Sequence, residues 1–233
     1  MKTQYAAVEY GKVTMKEKDL PKPGPGQLLL EAEYSSISPG TEYMLMAGEV
    51  LPLPQNIGYS MIASVVGVGE GVTGFKVGDL VAATGQHASH LILDERICTP
   101  APKGVDKEQA AFFVLAHTAM YGIRKTEIKL GEPVVVLGQG MVGAFAAQLA
   151  KASGAAPVIV TDIDDKRLEY AKAMGVHHAV NTKTNPGALD EIIDELGMGG
   201  VPVVIEATGA REPLEQAFQI VGENGRVMML STV

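Results

Sequence analysis

Hydrophobic and polar positions follow two different patterns along the chain, and the change comes near residue 110. Before it, short β-rich runs such as Leu28–Tyr34 and Met61–Val68 alternate with turns rich in glycine and proline, of which Pro21–Gly26 is one. Another dense turn region, Gly67–Asp79, leads into the short apolar run Leu80–Ala83. This pattern predicts a first unit built from β-strands.

After residue 123, apolar runs of strand length alternate with segments of helical character. We expect strands at Val134–Leu137, Val158–Val160, His178–Val180, Val203–Ile205 and Val227–Leu230. We expect the helices between them at Met141–Ala152, Lys166–Met174, Ala188–Leu196 and Pro213–Val221. Such alternation predicts a parallel sheet with right-handed crossovers.

The segment Lys107–Gly122 lies between the two patterns and has helical character throughout. We expect it to form one helix that serves as a hinge. The predicted organisation is therefore a first domain of residues 1–122 and a second domain of residues 123–233.

Composition narrows the class of protein. Hydrophobic residues make up 46% of the chain and charged residues 20%, which predicts a packed core rather than disorder. A formal net charge of -8 disfavours nucleic acid or an anionic membrane surface as a partner. The single cysteine, Cys98, excludes an internal disulfide framework and is expected to be a small buried apolar residue. With no apolar run of signal-peptide or membrane-spanning length, we expect a soluble cytoplasmic protein.

The strongest chemical signal follows the first strand of the second half. The run Val134–Leu137 ends at a G-x-G-x-x-G motif, an alanine-rich helix follows, and the next strand ends at Asp162. The residues of the motif are Gly138, Gln139, Gly140, Met141, Val142 and Gly143. Strand, glycine motif, helix, strand and terminal acid together form the fingerprint of dinucleotide binding, with the pyrophosphate at the positive end of the helix dipole.

The end of the second strand also bears on which dinucleotide binds. A carboxylate at Asp162 is expected to accept hydrogen bonds from both ribose hydroxyls and to repel a 2′-phosphate, which favours NAD over NADP. Lys166 and Arg167 lie close by and could attract that phosphate, although they also fit a solvated first turn of a helix. Ile163 and Arg167 are included among the expected cofactor contacts.

Four segments carry a resemblance to a known family. They are Gly67-Val-Gly with Phe75-Lys-Val-Gly-Asp79, the motif Gly138–Gly143, Asp162, and Glu206-Ala-Thr-Gly209. In this order along the chain they resemble the medium-chain dehydrogenase/reductase superfamily, the alcohol dehydrogenase-like proteins. The resemblance implies an α/β protein in which a GroES-like β-barrel precedes a doubly wound, parallel-sheet Rossmann domain, and it implies hydride transfer to or from nicotinamide.

The zinc ligands of that family are not matched in this chain. Ser38 or Pro39 stands at the cysteine position, Tyr59 at the histidine of the Gly-His-Glu motif, and Val114 at the third position. A catalytic zinc needs three protein ligands and an open position, so we expect no zinc. Three histidines could still form a different zinc site, although nothing in their spacing asks for one. These are His87, His90 and His117.

Without a metal, the developing alkoxide needs another source of protons or charge. By resemblance, Thr41 takes the position of a hydroxyl that relays the alcohol proton, and Tyr59 could donate to the substrate oxygen or instead pack against Pro54. Glu42 matches an acidic position that is mostly structural in relatives. His87 follows a strand and could act as acid or base, or lie in a surface turn.

Further cofactor contacts are expected beyond the glycine motif. Ligands in open parallel sheets collect at the carboxyl ends of the strands. The residues expected along the cofactor here are Ala207, Thr208 and Gly209. Glu206 is expected to be structural, and Ser231 and Thr232 could approach the nicotinamide ribose. Thr118 aligns with a residue that contacts the nicotinamide face, or it simply packs within its helix.

The chain ends directly after the fifth predicted strand. The family normally continues into a sixth strand and a return segment, and full-length relatives form homodimers or tetramers. We therefore expect either a truncated chain, which we favour, or a shortened relative. The leading functional hypothesis is a zinc-independent oxidoreductase that uses NAD(H) on an alcohol or ketone. A secondary alcohol is expected, such as a polyol, a sugar derivative or a bulkier natural-product alcohol. The alternatives are an NADPH-dependent reductase of conjugated C=C bonds and a nucleotide-binding protein without catalysis.

Overall fold

The structure, a computed structural model, describes residues 1–9, 11–48, 53, 55–197 and 199–231. It divides into two compact units, Met1–Val114 and Leu115–Val233. The division lies inside the segment expected to be a hinge helix, before the boundary anticipated at residue 122.

The first unit is built mainly from antiparallel strands. Its strands are β1 (Lys2–Glu9), β2 (Lys12–Asp19), β3 (Gln27–Ser35), β4 (Gln55–Asn56), β5 (Met61–Val68), β6 (Leu80–Ala83), β7 (His90–Asp94) and β8 (Cys98–Pro100). Among the described residues they form two sheets, in the orders β2-β1-β4 and β7-β3-β5-β6-β8. Alternate side chains of the central strands are fully buried between the layers, among them Leu28, Leu30 and Val81.

A short helix in the first unit was not expected from the strand-like pattern. This helix, α1 (Pro39–Ala47), has Pro39 in its first turn and Gly48 in the left-handed conformation at its end. Proline at the start and glycine after the end are ordinary helix boundaries. Glu42 lies in the first turn, where a carboxylate interacts favourably with the helix dipole. The expectation of an all-β first half is therefore wrong at this segment.

The single helix expected over Lys107–Gly122 is also wrong, because the structure has two. These are α2 (Lys107–Ala110) and α3 (Phe113–Thr126). The Ser60 hydroxyl, which is buried, donates to the Ala111 carbonyl at 2.6 Å, and the Val114 amide donates to the same hydroxyl at 3.4 Å. The side chain of the residue just before β5 thus bonds backbone groups that a continuous helix would pair internally.

The second unit is a doubly wound parallel sheet, which confirms the expected fold class. Its strands are β9 (Val134–Leu137), β10 (Val158–Asp162), β11 (His178–Asn181), β12 (Val201–Glu206) and β13 (Val221–Met229). The helices that follow α3 are α4 (Met141–Ala152), α5 (Asp165–Ala173), α6 (Ala188–Glu195) and α7 (Arg211–Ile220). Within the described part of the chain the strand order is β11-β10-β9-β12-β13. β13 begins earlier than expected. Val201 pairs with Val221 and Val203 with Arg226, so a register shift accommodates the glycines that follow Val221 within the strand.

The central strand β9 explains how this sheet is held. All four of its side chains are fully buried. Val134 and Val136 pack in one cluster with residues of α3, α4 and α5, while Val135 and Leu137 pack in another with residues of α6 and α7. Because alternate side chains of a strand point to opposite faces, helices must cover both faces of the sheet.

The fold bears on the environment of Cys98 and on whether a helix could span a membrane. Cys98 is buried at the start of β8, and burial raises the pKa of its thiol to about 11, so it is a thiol at neutral pH. This agrees with a small buried apolar residue. Within the described ranges, no helix combines the length and the apolar character that crossing a bilayer requires.

Candidate active site and dinucleotide loop

The glycine motif lies where the order of the parallel strands reverses. It follows β9, and the loop Ala207–Gly209 follows the neighbouring strand β12. The Ala207 amide donates to the Leu137 carbonyl at 2.9 Å, which joins the two loops at their origin. Open α/β sheets bind ligands at this reversal point, outside the carboxyl ends of the strands.

Two glycines of the motif have different surroundings. A Cβ added at Gly143 would overlap the Gly138 carbonyl oxygen, so Gly143 allows helix α4 to approach the strand closely. A Cβ added at Gly140 would meet no atom within 4 Å. Gly140 is the N-cap of α4 and supplies no side-chain cap to it. The protein's own packing therefore explains Gly143, whereas the open space beside Gly140 fits a pyrophosphate held by the amides of α4.

Asp162 is buried at the end of β10 and already has several protein partners. Its Oδ2 accepts from the Gln139 amide at 2.7 Å, and its Oδ1 accepts from the amides of Ile163 and Asp164 at 2.8 and 3.0 Å. The Arg167 guanidinium lies 3.6 Å from Oδ2. The carboxylate therefore positions the glycine loop, a role that the sequence did not indicate. With two amide donors already bonded to Oδ1, room for a ribose hydroxyl is greatest at Oδ2.

One buried acceptor in this loop lacks a partner. Gln139 is buried, and its Nε2 donates to the Gly138 carbonyl at 2.8 Å. Its Oε1 has no hydrogen-bond partner among the described residues. An unsatisfied buried acceptor costs about 1–3 kcal/mol. A hydroxyl donor from a bound ligand would remove this cost, so the loop fits a dinucleotide on grounds besides its glycines.

Glu206 organises the second loop. It is fully buried, and its Oε1 accepts from the Thr208 amide at 2.6 Å and from the Thr208 hydroxyl. Its Oε2 accepts from the Ser231 hydroxyl. These bonds agree with the structural role expected of Glu206, and they tie Ser231 to the loop that follows β12. Thr232, expected beside Ser231, lies outside the described residues.

The remaining expected cofactor residues lie at the same end of the second unit or on α3. Met141 and Val142 begin α4 and are half-buried, while Ile163 is exposed beside Asp162. Thr118 is exposed on α3 and lines a cavity of about 360 Å³ together with the end of β13. As cofactor contacts, these positions stay predictions.

In the first unit, backbone hydrogen bonds hold the segment around His87 in place. The His87 amide donates to the Ile57 carbonyl at 2.8 Å, and the His87 carbonyl accepts from the Ala6 amide at 2.9 Å. Ser89 adds a bond to the Gln4 carbonyl at 2.8 Å. The segment therefore lies against β1 with a defined position for the His87 ring. It is not a free surface turn.

The His87 ring bridges two side chains of the same unit. Its Nδ1 lies 2.8 Å from the Ser35 hydroxyl, and its Nε2 lies 3.1 Å from Oε2 of Glu42. The side chains of His87 and Glu42 are 14% and 6% exposed. Glu42 is also held by the Ser38 amide, which donates to Oε1 at 2.8 Å. Because a carboxylate only accepts, Nε2 carries the ring proton and Nδ1 accepts from Ser35.

This chain of Glu42, His87 and Ser35, which we call the relay, was only partly foreseen. The sequence predicts His87 and Glu42 near the reacting groups, but it predicts neither their contact nor a role for Ser35. Ser35 is the last residue of β3, and the sequence offers no local signal that its hydroxyl reaches a loop 52 positions away.

The other two catalytic candidates are not hydrogen-bonded to the relay in the described part of the chain. Thr41 is exposed on α1, next to the buried Glu42, and Tyr59 is half-buried just before β5. Neither hydroxyl has a hydrogen-bond partner among the described residues. The alternative packing of Tyr59 on Pro54 involves a residue outside the described part. Both roles stay predictions.

A further consequence of this packing is that Gly58 should not tolerate a side chain. Gly58 has φ 96°, and an added Cβ would lie 2.5 Å from the His87 amide nitrogen. We expect Gly58→Ala to lower the stability by about 2 kcal/mol or more and to displace His87. Gly78→Ala is the matched control, because Gly78 has φ 93° but nothing within 4 Å of its Cβ position.

The comparison is read from thermal unfolding and from activity per folded molecule. We expect Gly78→Ala to show backbone strain of roughly 1–3 kcal/mol and full activity. We expect Gly58→Ala to lose stability and activity together. Equal behaviour of the two variants would contradict the fixed position of His87.

The family resemblance raises the question of a catalytic zinc ion. The side chains at the three ligand positions of the family do not fit one. Tyr59 supplies a phenol where a histidine is needed, and Pro39 and Val114 supply no ligand atom. His87 is engaged with Glu42 and Ser35, and His90 has its Nδ1 3.2 Å from the Ser89 hydroxyl. Over the ranges that the structure describes, no group of three or more His, Cys, Asp or Glu side chains is placed to hold a metal ion.

Comparisons with known proteins agree with this architecture. A family model described as "Zinc-binding dehydrogenase" matches residues 142–233, and one described as "N-terminal domain of oxidoreductase" matches residues 5–100. An L-threonine 3-dehydrogenase of Pyrococcus abyssi is 31% identical over 265 residues, covering 99% of this chain and 74% of the relative. The chain belongs to the medium-chain dehydrogenase/reductase superfamily. It is an alcohol dehydrogenase-like oxidoreductase.

Two further members of the superfamily show the same relationship. A sorbitol dehydrogenase of Halalkalibacterium halodurans is 28% identical over 260 residues, covering 97% of this chain and 74% of the relative. A solved alcohol dehydrogenase superfamily protein from Novosphingobium aromaticivorans is 28% identical, with a TM-score of 0.84 over 99% of this chain and 73% of its own. The named relatives thus act on different alcohols, and membership in the superfamily alone leaves the substrate open.

Proposed function

We propose that this protein transfers a hydride between NAD(H) and an alcohol or ketone, and that the relay of Glu42, His87 and Ser35 does the proton chemistry that zinc assists in relatives. The observation that carries this proposal is the His87 ring held between a carboxylate and a hydroxyl, at 3.1 and 2.8 Å. A base oriented by a buried carboxylate and bonded to a hydroxyl is a recurring arrangement for moving protons.

In the direction of alcohol oxidation, the substrate hydroxyl gives its proton to Ser35 as the Ser35 proton passes to Nδ1 of His87. The imidazolium that forms is stabilised by Glu42, whose carboxylate accepts from Nε2. The bound cofactor would supply the hydride acceptor at the carbinol carbon. In the reverse direction His87 returns its proton through Ser35 to the developing alkoxide. Thr41 and Tyr59 remain candidates for a second hydrogen bond to the substrate oxygen.

The glycine motif, Asp162 and Ala207–Gly209 would hold the dinucleotide. NAD is favoured over NADP because a negative charge at Asp162 repels a 2′-phosphate. Arg167 weakens this argument only in part, since its guanidinium already lies 3.6 Å from the Asp162 carboxylate. A cytoplasmic location is consistent with the proposal, because the only cysteine of the chain is a buried thiol.

The first test is a fluorescence titration of the purified chain with NADH and, in parallel, with NADPH. We expect saturable binding with NADH preferred. Turnover of secondary alcohols with NAD is then measured before and after exhaustive treatment with a zinc chelator, with the metal content determined in both samples. We expect the same rate in both.

Each result tests a different part of the proposal. A preference for NADPH would contradict the role given to Asp162. Loss of turnover on chelation, with recovery on adding zinc, would replace the relay with a metal. Binding of NADH without turnover of any alcohol or ketone would favour a nucleotide-binding protein without catalysis.

A further inference from the structure

Next to the relay, the first unit contains a cavity of about 450 Å³, a volume ordinary for small-molecule sites. Ser35, Glu42 and His87 form its polar wall. The rest of the described lining is almost wholly apolar and comes from β1, β2, the connection between β3 and α1, α1 itself and the residue after β4. It includes Ala6, Val13, Ile37, Tyr43, Met46 and Ile57.

Apart from the exposed phenol of Tyr43, the polar groups of the described lining can serve one oxygen atom of a ligand. Glu42 and His87 already bond each other, and Glu42 also accepts from the Ser38 amide. The Ser35 hydroxyl donates to Nδ1 and keeps its lone pairs to accept from a ligand, or it can donate to a ligand if it leaves Nδ1. A polyol would therefore leave most of its hydroxyls without partners, at a cost for each one that is buried.

The charges in the cavity also discriminate between ligands. Among the described residues that line it there is no lysine or arginine, and the carboxylate there is that of Glu42. A ligand carboxylate or phosphate would meet no fixed positive charge there and would lose its hydration without compensation. An amino-acid or phosphorylated substrate is disfavoured for this reason.

The side chains at the mouth of the cavity also favour an apolar ligand. Tyr43 and Ile37 are 71% and 63% exposed, and Val13 is 47% exposed. Apolar side chains gathered around a cavity and left in water are a surface that a ligand stabilises by covering it.

Resting on the proposed function, we propose that the substrate is an uncharged alcohol or ketone with one reacting oxygen and a large apolar substituent. The reacting oxygen bonds Ser35, and the substituent lies in the cavity against Val13, Ile37, Tyr43 and Met46. The polyol and sugar-like substrates suggested by the sequence fit this lining poorly.

Binding is tested separately from turnover so that the two proposals can fail separately. The probe is acetophenone, observed by saturation-transfer NMR on the chain without cofactor, with sorbitol and L-threonine as comparison ligands. We expect saturable binding of acetophenone and none of the other two at the same concentration. With NAD present, we expect kcat/KM for 1-phenylethanol to exceed that for sorbitol and threonine by about 100-fold or more.

Val13→Lys tests whether the cavity is the site, and Met15→Lys is its matched control. Both residues are exposed on β2 and point to the same face, but Met15 does not line the cavity. We expect Val13→Lys to weaken acetophenone binding by about tenfold or more. We expect Met15→Lys to leave it unchanged and both variants to bind NADH normally.

Three outcomes would overturn the substrate class. They are a preference for sorbitol or threonine, equal acetophenone binding by the two lysine variants, and a change of molar mass in Val13→Lys alone, which would show that a second copy covers the cavity. If no alcohol is turned over but acetophenone binds and Val13→Lys weakens it, the hydride-transfer proposal fails and the ligand class stands.

Discussion

His87→Gln is expected to lower kcat/KM for alcohol oxidation by about 10²–10⁴-fold, the usual contribution of a general acid or base. A glutamine amide can occupy the space between Ser35 and Glu42, but it cannot take up a proton near neutral pH. The bonds that hold this segment come from its backbone, to Ile57 and Ala6, and survive the change. The affinity for NADH should therefore stay the same. His90→Gln is the control, because the His90 ring bonds the Ser89 hydroxyl and takes no part in the relay, and it should retain full activity.

Glu42→Gln separates a relay from a merely structural cluster. Oε1 of Glu42 accepts from the Ser38 amide, so a glutamine that keeps this bond must turn its NH₂ group toward Nε2 of His87. Nε2 then becomes the acceptor and Nδ1 carries the proton, which leaves Ser35 without an acceptor for its own proton. We expect kcat to fall by about 10²-fold or more with the fold intact.

These variants are compared by steady-state kinetics over a range of pH, with circular dichroism and NADH titration as controls for folding. Because a general acid or base makes kcat/KM depend on pH, the pH profile of His87→Gln should differ in shape from that of the wild type. An unchanged profile with a modest fall in rate would assign the cluster a purely structural role.

The relay could not be derived from the sequence because none of its contacts is local. Ser35 ends β3, Glu42 lies in α1 and His87 follows β6, and their contact depends on how the 87–89 segment pairs with β1. Helix α1 was itself missed, because a short segment that begins with proline and glycine has the same composition as a turn. The sequence therefore predicted individual candidate residues, but not which side chains would bond each other.

The Rossmann half was predictable for the opposite reason. Each strand of a doubly wound sheet is buried on both faces, so it appears in the sequence as a continuous apolar run, and the helices between the strands are local elements. The sequence did not predict that two carboxylates of this half, Asp162 and Glu206, also hold the loops after the strands. Asp162 accepts three backbone amides and Glu206 organises the loop after β12, and both facts depend on loop conformation.

Gly140→Ala and Gly143→Ala should have opposite effects on binding and on stability. At Gly140 the backbone has φ -66°, ψ -175°, which alanine adopts without strain, and its Cβ would point into open space. A poorer N-cap and a less flexible unfolded chain should offset each other to within about 1 kcal/mol. The variant should fold normally, yet its new methyl group would occupy the space proposed for the pyrophosphate. We expect its NADH affinity to fall by about tenfold or more.

Gly143→Ala is expected to clash with the protein, because its Cβ would overlap the Gly138 carbonyl oxygen. Neither atom belongs to a flexible side chain that could move away. We expect a loss of about 2 kcal/mol or more, seen as a fall in Tm of roughly 4–8 °C. Thermal unfolding and NADH titration of both variants therefore distinguish packing from ligand binding within one motif. If Gly140→Ala bound NADH as the wild type does, the open space beside Gly140 would not be the pyrophosphate site. The dinucleotide would then have to be held elsewhere at the ends of these strands.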